Sequence, residues 1–210
     1  MDGPSTFDEL PLSPAITGVV AALGYEEPTP IQAAAIAPLV AGRDLLGQAA
    51  TGTGKTAAFA LPMLELLTEG DRAGADAPLG LILVPTRELA MQVSEAVHRY
   101  GRNLAARVVP VYGGQPIGRQ LHALARGVDV VVATPGRAVD HIGRGTLRLE
   151  GVRMVVLDEA DEMLDMGFAD DLDAVLDAVP GPSQTVQCAA TMPRRNERVA
   201  RKRLSDPGPR

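Results

Sequence analysis

Ala49-Ala50-Thr51-Gly52-Thr53-Gly54-Lys55-Thr56 is the stretch that decides the fold of this 210-residue chain. It follows a short apolar run, Asp44-Leu45-Leu46-Gly47, and leads into Ala57-Ala58-Phe59-Ala60-Leu61, which reads as a helix. Strand, glycine-rich turn and helix is the context of a phosphate-binding loop. The glycines let successive backbone N–H groups point inward, and the helix N-terminus adds its partial positive charge. Lys55 then reaches the outer phosphates of a nucleotide, and the Thr56 hydroxyl is placed to ligate Mg²⁺. Ala49 holds the place where the strict pattern has glycine.

Composition narrows the setting. A hydrophobic fraction of 46% supports one large core, and an aromatic fraction of 3% with no Trp makes that core aliphatic. The formal charge of −6 gives no global basic field to advertise nucleic acid, although a groove lined by a few Arg and helix N-termini can hold a backbone on an acidic protein. One cysteine, Cys188, excludes an internal disulfide and argues against a disulfide-linked partner. Three His argue against structural zinc. No apolar run approaches membrane-spanning length and the N-terminus has no secretory pattern, so a soluble, cytoplasmic protein with no membrane partner is expected.

Along the chain, Ser13-Pro14 reads as cap and first position of a helix from Ala15 to Leu23, and Thr29-Pro30 caps another from Ile31 to Ala41. The stretch from Glu69 to Pro78 is a breaker-rich loop. Apolar strands then alternate with helices. Strands are expected at Leu79–Val84, Arg107–Tyr112, Val128–Ala133, Val152–Leu157 and Thr185–Ala190. Helices are expected at Thr86–Tyr100, Pro116–Ala125, Pro135–Arg144, Phe168–Val179 and, strongly basic, Arg194–Leu204. Strands apolar on both faces predict an α/β fold whose central, mostly parallel sheet is covered by helices on both sides. The chain from 1 to 210 reads as one domain. Val155-Val156-Leu157-Asp158-Glu159-Ala160-Asp161 is the partner of the phosphate loop. A strand ending in a carboxylate presents Asp158 to the Mg²⁺ of a bound nucleotide, through water. Glu159 stands where it can orient or deprotonate an attacking water. Glu162 and Asp165 read as the solvated acidic start of a helix, His141-Ile142-Gly143-Arg144 as a surface helix end, and Cys188 as a buried strand residue.

Asp-Glu-Ala-Asp at 158–161 resembles the signature of the DEAD-box RNA helicases, and further matches follow in that family's order. Gly24-Tyr25 with Pro28-Thr29-Pro30-Ile31-Gln32, and Phe7 upstream, is similar to the Q motif; residues 1–33 would form that region and 34–207 the P-loop core. Ala49 to Thr56 resembles motif I, with Ala50 where Gln or Arg is common. Pro85-Thr86-Arg87-Glu88-Leu89-Ala90 resembles motif Ia, Gly113-Gly114 the glycine doublet, and Thr134-Pro135-Gly136-Arg137 motif Ib. Ala189-Ala190-Thr191 falls where the family has Ser-Ala-Thr, motif III.

The resemblance implies a RecA-like domain that binds Mg²⁺ and ATP. Phe7, Tyr25, Pro30, Gln32, Ala50, Thr51, Gly52, Thr53, Gly54, Lys55 and Thr56 would hold the nucleotide, with Lys55, Asp158 and Glu159 at the chemistry and Thr56 and Asp158 at the metal. Gln32 would read the adenine edge, since an amide donates and accepts at once, with Phe7 stacking on the base; without the family Gln32 is equally an ordinary helix-surface residue. Pro85, Thr86, Arg87, Gly114, Thr134, Pro135, Gly136 and Arg137 would line a track that reads the RNA backbone and not its bases. Asp161, Ala189 and Thr191 would couple the two sites, with the family's Ser at 189 bonding toward Asp161. No segment after Thr191 supplies the motifs of the family's second RecA-like domain, so such a domain is expected as a partner in cis or in trans. The alternative is a non-catalytic half-domain that binds nucleotide and RNA.

Overall fold

The computed structural model describes residues 4–49, 52–68 and 77–191. Six strands form one sheet: β1 (Leu45–Gln48), β2 (Gly80–Leu83), β3 (Val108–Val111), β4 (Val130–Ala133), β5 (Met154–Leu157) and β6 (Gln184–Ala189). Their order is β1-β6-β5-β2-β4-β3, and every pairing is parallel. Eight α-helices among the described residues precede and connect them: α1 (Pro14–Ala22), α2 (Pro30–Val40), α3 (Lys55–Glu65), α4 (Arg87–Tyr100), α5 (Ile117–Ala125), α6 (Pro135–Gly143), α7 (Ala160–Asp165) and α8 (Ala169–Ala178). The expected basic helix over Arg194–Leu204 and most of the Glu69–Pro78 loop lie outside the described residues.

Alternation along each strand splits the core in two. Ile82, Val130, Val132, Met154 and Val156 join one cluster with Ile36, Phe59, Leu61 and Val97, from α2, α3 and α4. Leu81, Leu83, Val131, Val155 and Leu157 join the other with Ala138, Met163, Leu172 and Val175, from α6, α7 and α8. Strands buried on both faces are why the sequence shows continuous apolar runs with no polar face.

One element runs beyond the sequence reading. α3 runs past Leu61 through Pro62 to Glu65, because Pro62, Met63 and Leu64 are all buried and their packing outweighs the one bond a proline removes. Residues 160–178 form two helices, separated at Gly167 by a left-handed turn (φ 89°). Ser13 starts α1 by position alone: its side chain makes no cap bond, while its backbone N–H donates to Glu65 Oε2 at 3.0 Å. No helix among the described residues is long and apolar enough to cross a membrane.

The register places the motifs that follow strands on one rim. Gln48 pairs with Ala189, Leu157 with Gln187 and with Leu83, and Leu83 and Val111 with Ala133. The residues that follow are therefore the phosphate loop, Ala190-Thr191, Asp158-Glu159, Pro85-Thr86, Gly113-Gly114 and Thr134-Pro135. This is the carboxyl edge of a parallel sheet, where open α/β folds bind ligands.

Candidate active site

The phosphate loop leaves β1 and enters α3 through Gly52 (φ 83°) and Gly54 (φ 89°), left-handed positions that suit glycine. Ala50 and Thr51 lie outside the described residues. Lys55 opens α3. Its Nζ is buried, has no hydrogen-bond partner among the described residues, and lies 3.8 Å from Asp158 Oδ1, beyond hydrogen-bond reach. β6 lies between β1 and β5, so Lys55 and Asp158 meet as an ion pair across the end of that strand. Burial pushes the Asp158 carboxyl up, and the Lys55 charge pulls it back down. The half-buried Thr56 follows Lys55 on the same turn. Among the described residues no three carboxylate, His or Cys side chains cluster as a metal cage.

Gln32 is buried, in contrast to an ordinary helix-surface residue. Its Oε1 accepts from the Thr29 N–H at 2.9 Å, and its Nε2 donates to the Gly54 carbonyl at 3.2 Å. The amide thus ties the start of α2 to the phosphate loop. Beside it an open cleft of about 530 Å³ is lined by Pro30, Ile31, Ala34, Gly47, Ala49 and Thr53, within the usual size range of small-molecule sites. Phe7 does not offer a face to a base. The 3₁₀ turn Phe7–Glu9 packs its ring into the core, stacked on Tyr25 with centroids 6.4 Å apart. Tyr25 is the exposed ring of that pair, and its hydroxyl meets that of Tyr100 at 3.2 Å.

On the next strand, Thr191 donates to Asp161 Oδ2 twice, from its backbone N–H at 2.8 Å and its hydroxyl at 2.9 Å. Burial raises the Asp161 carboxyl, but these bonds outweigh it and hold the group below its usual range. Ala189 is fully buried within β6, and its carbonyl accepts from the Ala49 N–H at 3.1 Å. With no hydroxyl at 189, the bonds to Asp161 from this segment come from Thr191. Glu162 is solvated as expected, and the adjacent Glu159 carboxyl, then burial, lift its own carboxyl. Cys188 is buried, its thiol pushed up to about 12 by burial and then by the Asp158 charge.

The remaining motif residues form a ridge. Thr86 caps α4, its hydroxyl accepting from the Leu89 N–H at 3.2 Å, while Pro85 is buried beneath. Arg87 is exposed, lies 5.9 Å over the Tyr112 ring, and reaches to within 3.9 Å of where a Cβ on Gly114 would stand. Gly136 is exposed in the first turn of α6, after half-buried Thr134 and buried Pro135. Arg137 is not part of the exposed track. Its side chain is 15% exposed and turned inward, donating to the Gln115 carbonyl at 3.5 and 3.4 Å and to Gln120 Oε1 at 3.2 Å. His141 is likewise no surface residue. It is fully buried, with Nδ1 2.9 Å from Thr146 Oγ1 and Nε2 3.0 Å from Gln120 Oε1. Partners for both ring nitrogens let a polar ring occupy the inner face of α6. The sequence reading passed over Gln120, a lone amide in an amphipathic helix with no motif to mark it.

A fully parallel sheet, a phosphate loop and a carboxylate strand two places away define a RecA-like nucleotide-binding domain. The family model of the DEAD/DEAH box helicases matches residues 29–199, and the chain belongs to that family. Among its relatives, the DEAD-box ATP-dependent RNA helicase CshA of Bacillus cereus (strain ATCC 10987) is 47% identical over 97% of this chain. The same-named protein of Geobacillus kaustophilus (strain HTA426) is 49% identical over 97%. This chain spans 38% and 43% of the lengths of those two relatives. The crystal structure of a DEAD box protein from the hyperthermophile Methanococcus jannaschii superposes with a TM-score of 0.91 at 39% identity, over 99% of this chain and 56% of the other.

Proposed function

We propose that this chain is the ATP-binding half of an ATP-dependent RNA helicase, which hydrolyses Mg·ATP to remodel RNA when a second RecA-like domain closes on it. The observation that carries this reading is the buried Lys55 ammonium, without a hydrogen-bond partner among the described residues, facing the buried Asp158 carboxylate across one intervening strand. Asp158 offsets the Lys55 charge at 3.8 Å, but a buried ammonium whose protons make no hydrogen bond is costly until acceptors reach it. The outer phosphates of ATP supply those acceptors. Asp158 and the Thr56 hydroxyl hold the Mg²⁺, which neutralises phosphate charge when bound. Glu159, half-buried beside Asp158, orients the water and takes its proton. Gln32 recognises adenine by exchanging one of its two internal hydrogen bonds for the base, so nucleotide identity is read by the same side chain that holds Gly54. Thr86, Arg87, Gly114, Thr134 and Gly136 contact RNA phosphates from the ridge on the same rim.

Lys55→Ala should weaken Mg·ATP binding itself, whereas Glu159→Gln should leave binding nearly intact and abolish hydrolysis measured with the second domain supplied. Equal binding defects in the two variants would refute this division of roles. The domain alone should turn over slowly, because an arginine finger from a closing partner is worth roughly 10³–10⁵ in rate where it has been measured in GTPases.

A further inference from the structure

We propose that Gln120 is a positioning residue for RNA: its buried amide joins the glycine-doublet loop after β3 to α6, and so sets the spacing of the backbone groups that meet successive phosphates. The inference rests on the RNA-binding reading above and assigns the part that holds its surface in shape.

Gln120 lies on α5 and is 3% exposed. Its Nε2 donates to the Tyr112 carbonyl at 2.8 Å. A carbonyl only accepts, so this bond fixes which end of the amide is nitrogen. Oε1 therefore faces α6, where Arg137 Nη1 donates to it at 3.2 Å and His141 Nε2 lies at 3.0 Å. Because Oε1 only accepts, His141 must carry its proton on Nε2. In the neutral ring Nδ1 is an acceptor, so the Thr146 hydroxyl proton, which also has the His141 carbonyl within reach at 3.1 Å, is directed to Nδ1 at 2.9 Å. Burial, and after it the Arg137 charge, favours that neutral ring. One amide thus satisfies three partners in two separate segments, which no apolar side chain of that size could do.

The loop it holds has no strand or helix to stiffen it. Tyr112 O is tied by Gln120 and Gln115 O by Arg137, so the exposed Gly113-Gly114 pair is clamped at both ends. Arg87 closes one side of the pair, over Tyr112, while Arg137 ties the loop to the first turn of α6, where Gly136 is exposed. Backbone donors on a loop contact phosphates productively only when their separation is held. Gln120 is the group that holds it here, and Arg137 serves RNA from behind the surface.

The test uses this chain, a fluorescein-labelled oligouridylate at low salt, and Mg·ADP as a separate ligand. Gln120→Leu should bind RNA roughly ten-fold more weakly while Mg·ADP affinity stays within about two-fold of the parent. Gln120→Glu keeps the acceptor for Arg137 and His141 but loses the donor to Tyr112, and should recover part of that loss. Val175→Ala, a fully buried change in α8, lowers the thermal midpoint while leaving every hydrogen-bonding group of the clamp in place, and should leave RNA affinity unchanged. Nitrogen-15 spectra of the parent should show His141 neutral and protonated on Nε2, a measurement that needs no variant to fold. Parent-like RNA affinity in both Gln120 variants, a loss matched by Val175→Ala, or a His141 ring protonated on Nδ1 alone would overturn the inference. A parent chain that binds no RNA would remove the RNA-binding reading, and the inference with it.

Discussion

Thr191→Val removes one hydroxyl and almost nothing else, since valine keeps the shape and the backbone N–H bond to Asp161 remains. The bond lost is the 2.9 Å contact from Oγ1 to Asp161 Oδ2. Hydrogen bonds to charged groups are worth about 1.5–3 kcal/mol net, but Thr191 is exposed and water competes, so about 1 kcal/mol is expected. In a domain of this size that lowers the thermal midpoint by about 2–4 °C. A double-mutant cycle with Asp161→Asn reads the charge-dependent part of the interaction, because both Thr191 bonds end on the same carboxylate oxygen and an amide oxygen can still accept them. The sign of its pH dependence follows from the Asp161 carboxyl, held below its ordinary value of 3.8. The stability it adds is present above 3.8 and is lost as pH falls through the lower folded value. Losing one of the two Thr191 bonds lets that folded value rise, so Thr191→Val should unfold at a higher pH in an acid titration than its parent. A cycle showing no coupling at pH 7, or an unchanged acid midpoint, would refute the reasoning.

Gly80→Ala should destabilise without touching the site. A Cβ there would stand 2.4 Å from Met63 Sδ and 2.8 Å from its Cγ, and Met63 is fully buried with nowhere to swing. Overpacking of this kind costs about 1–3 kcal/mol, whereas Gly118→Ala, in open space on α5, should be neutral or stabilising in the same thermal melt. Gln32→Ala should weaken ADP binding and erase any preference for ADP over GDP; equal affinity of the parent for the two would sink the adenine assignment.

Much of this was legible from the chain because it rests on local chemistry. The glycines at 52 and 54, the apolar runs ahead of Asp158 and Thr134, and the cap at Thr86 each carry their meaning within a few residues. What escaped depends on contacts made across the fold. Arg137 reads as a free cation until Gln115 and Gln120, from another helix and loop, are seen to claim it. His141 reads as a surface residue because its partners are Gln120, distant in sequence, and a hydroxyl beyond the helix end. Phe7 reads as available for stacking until Tyr25 covers it. Ala189 reads as a lesion, whereas Thr191 two residues later makes the bond to Asp161.

Glu159 sits at φ 54°, ψ 47°, a left-handed conformation in a non-glycine residue. Such a conformation costs roughly 1–2 kcal/mol for most side chains and far less for Gly or Asn. The fold would be better served there by a residue that does no chemistry. A library of this domain screened for heat resistance alone should therefore drift away from glutamate at 159, and, on the role proposed above for that residue, its most robust members would be those least able to activate a water.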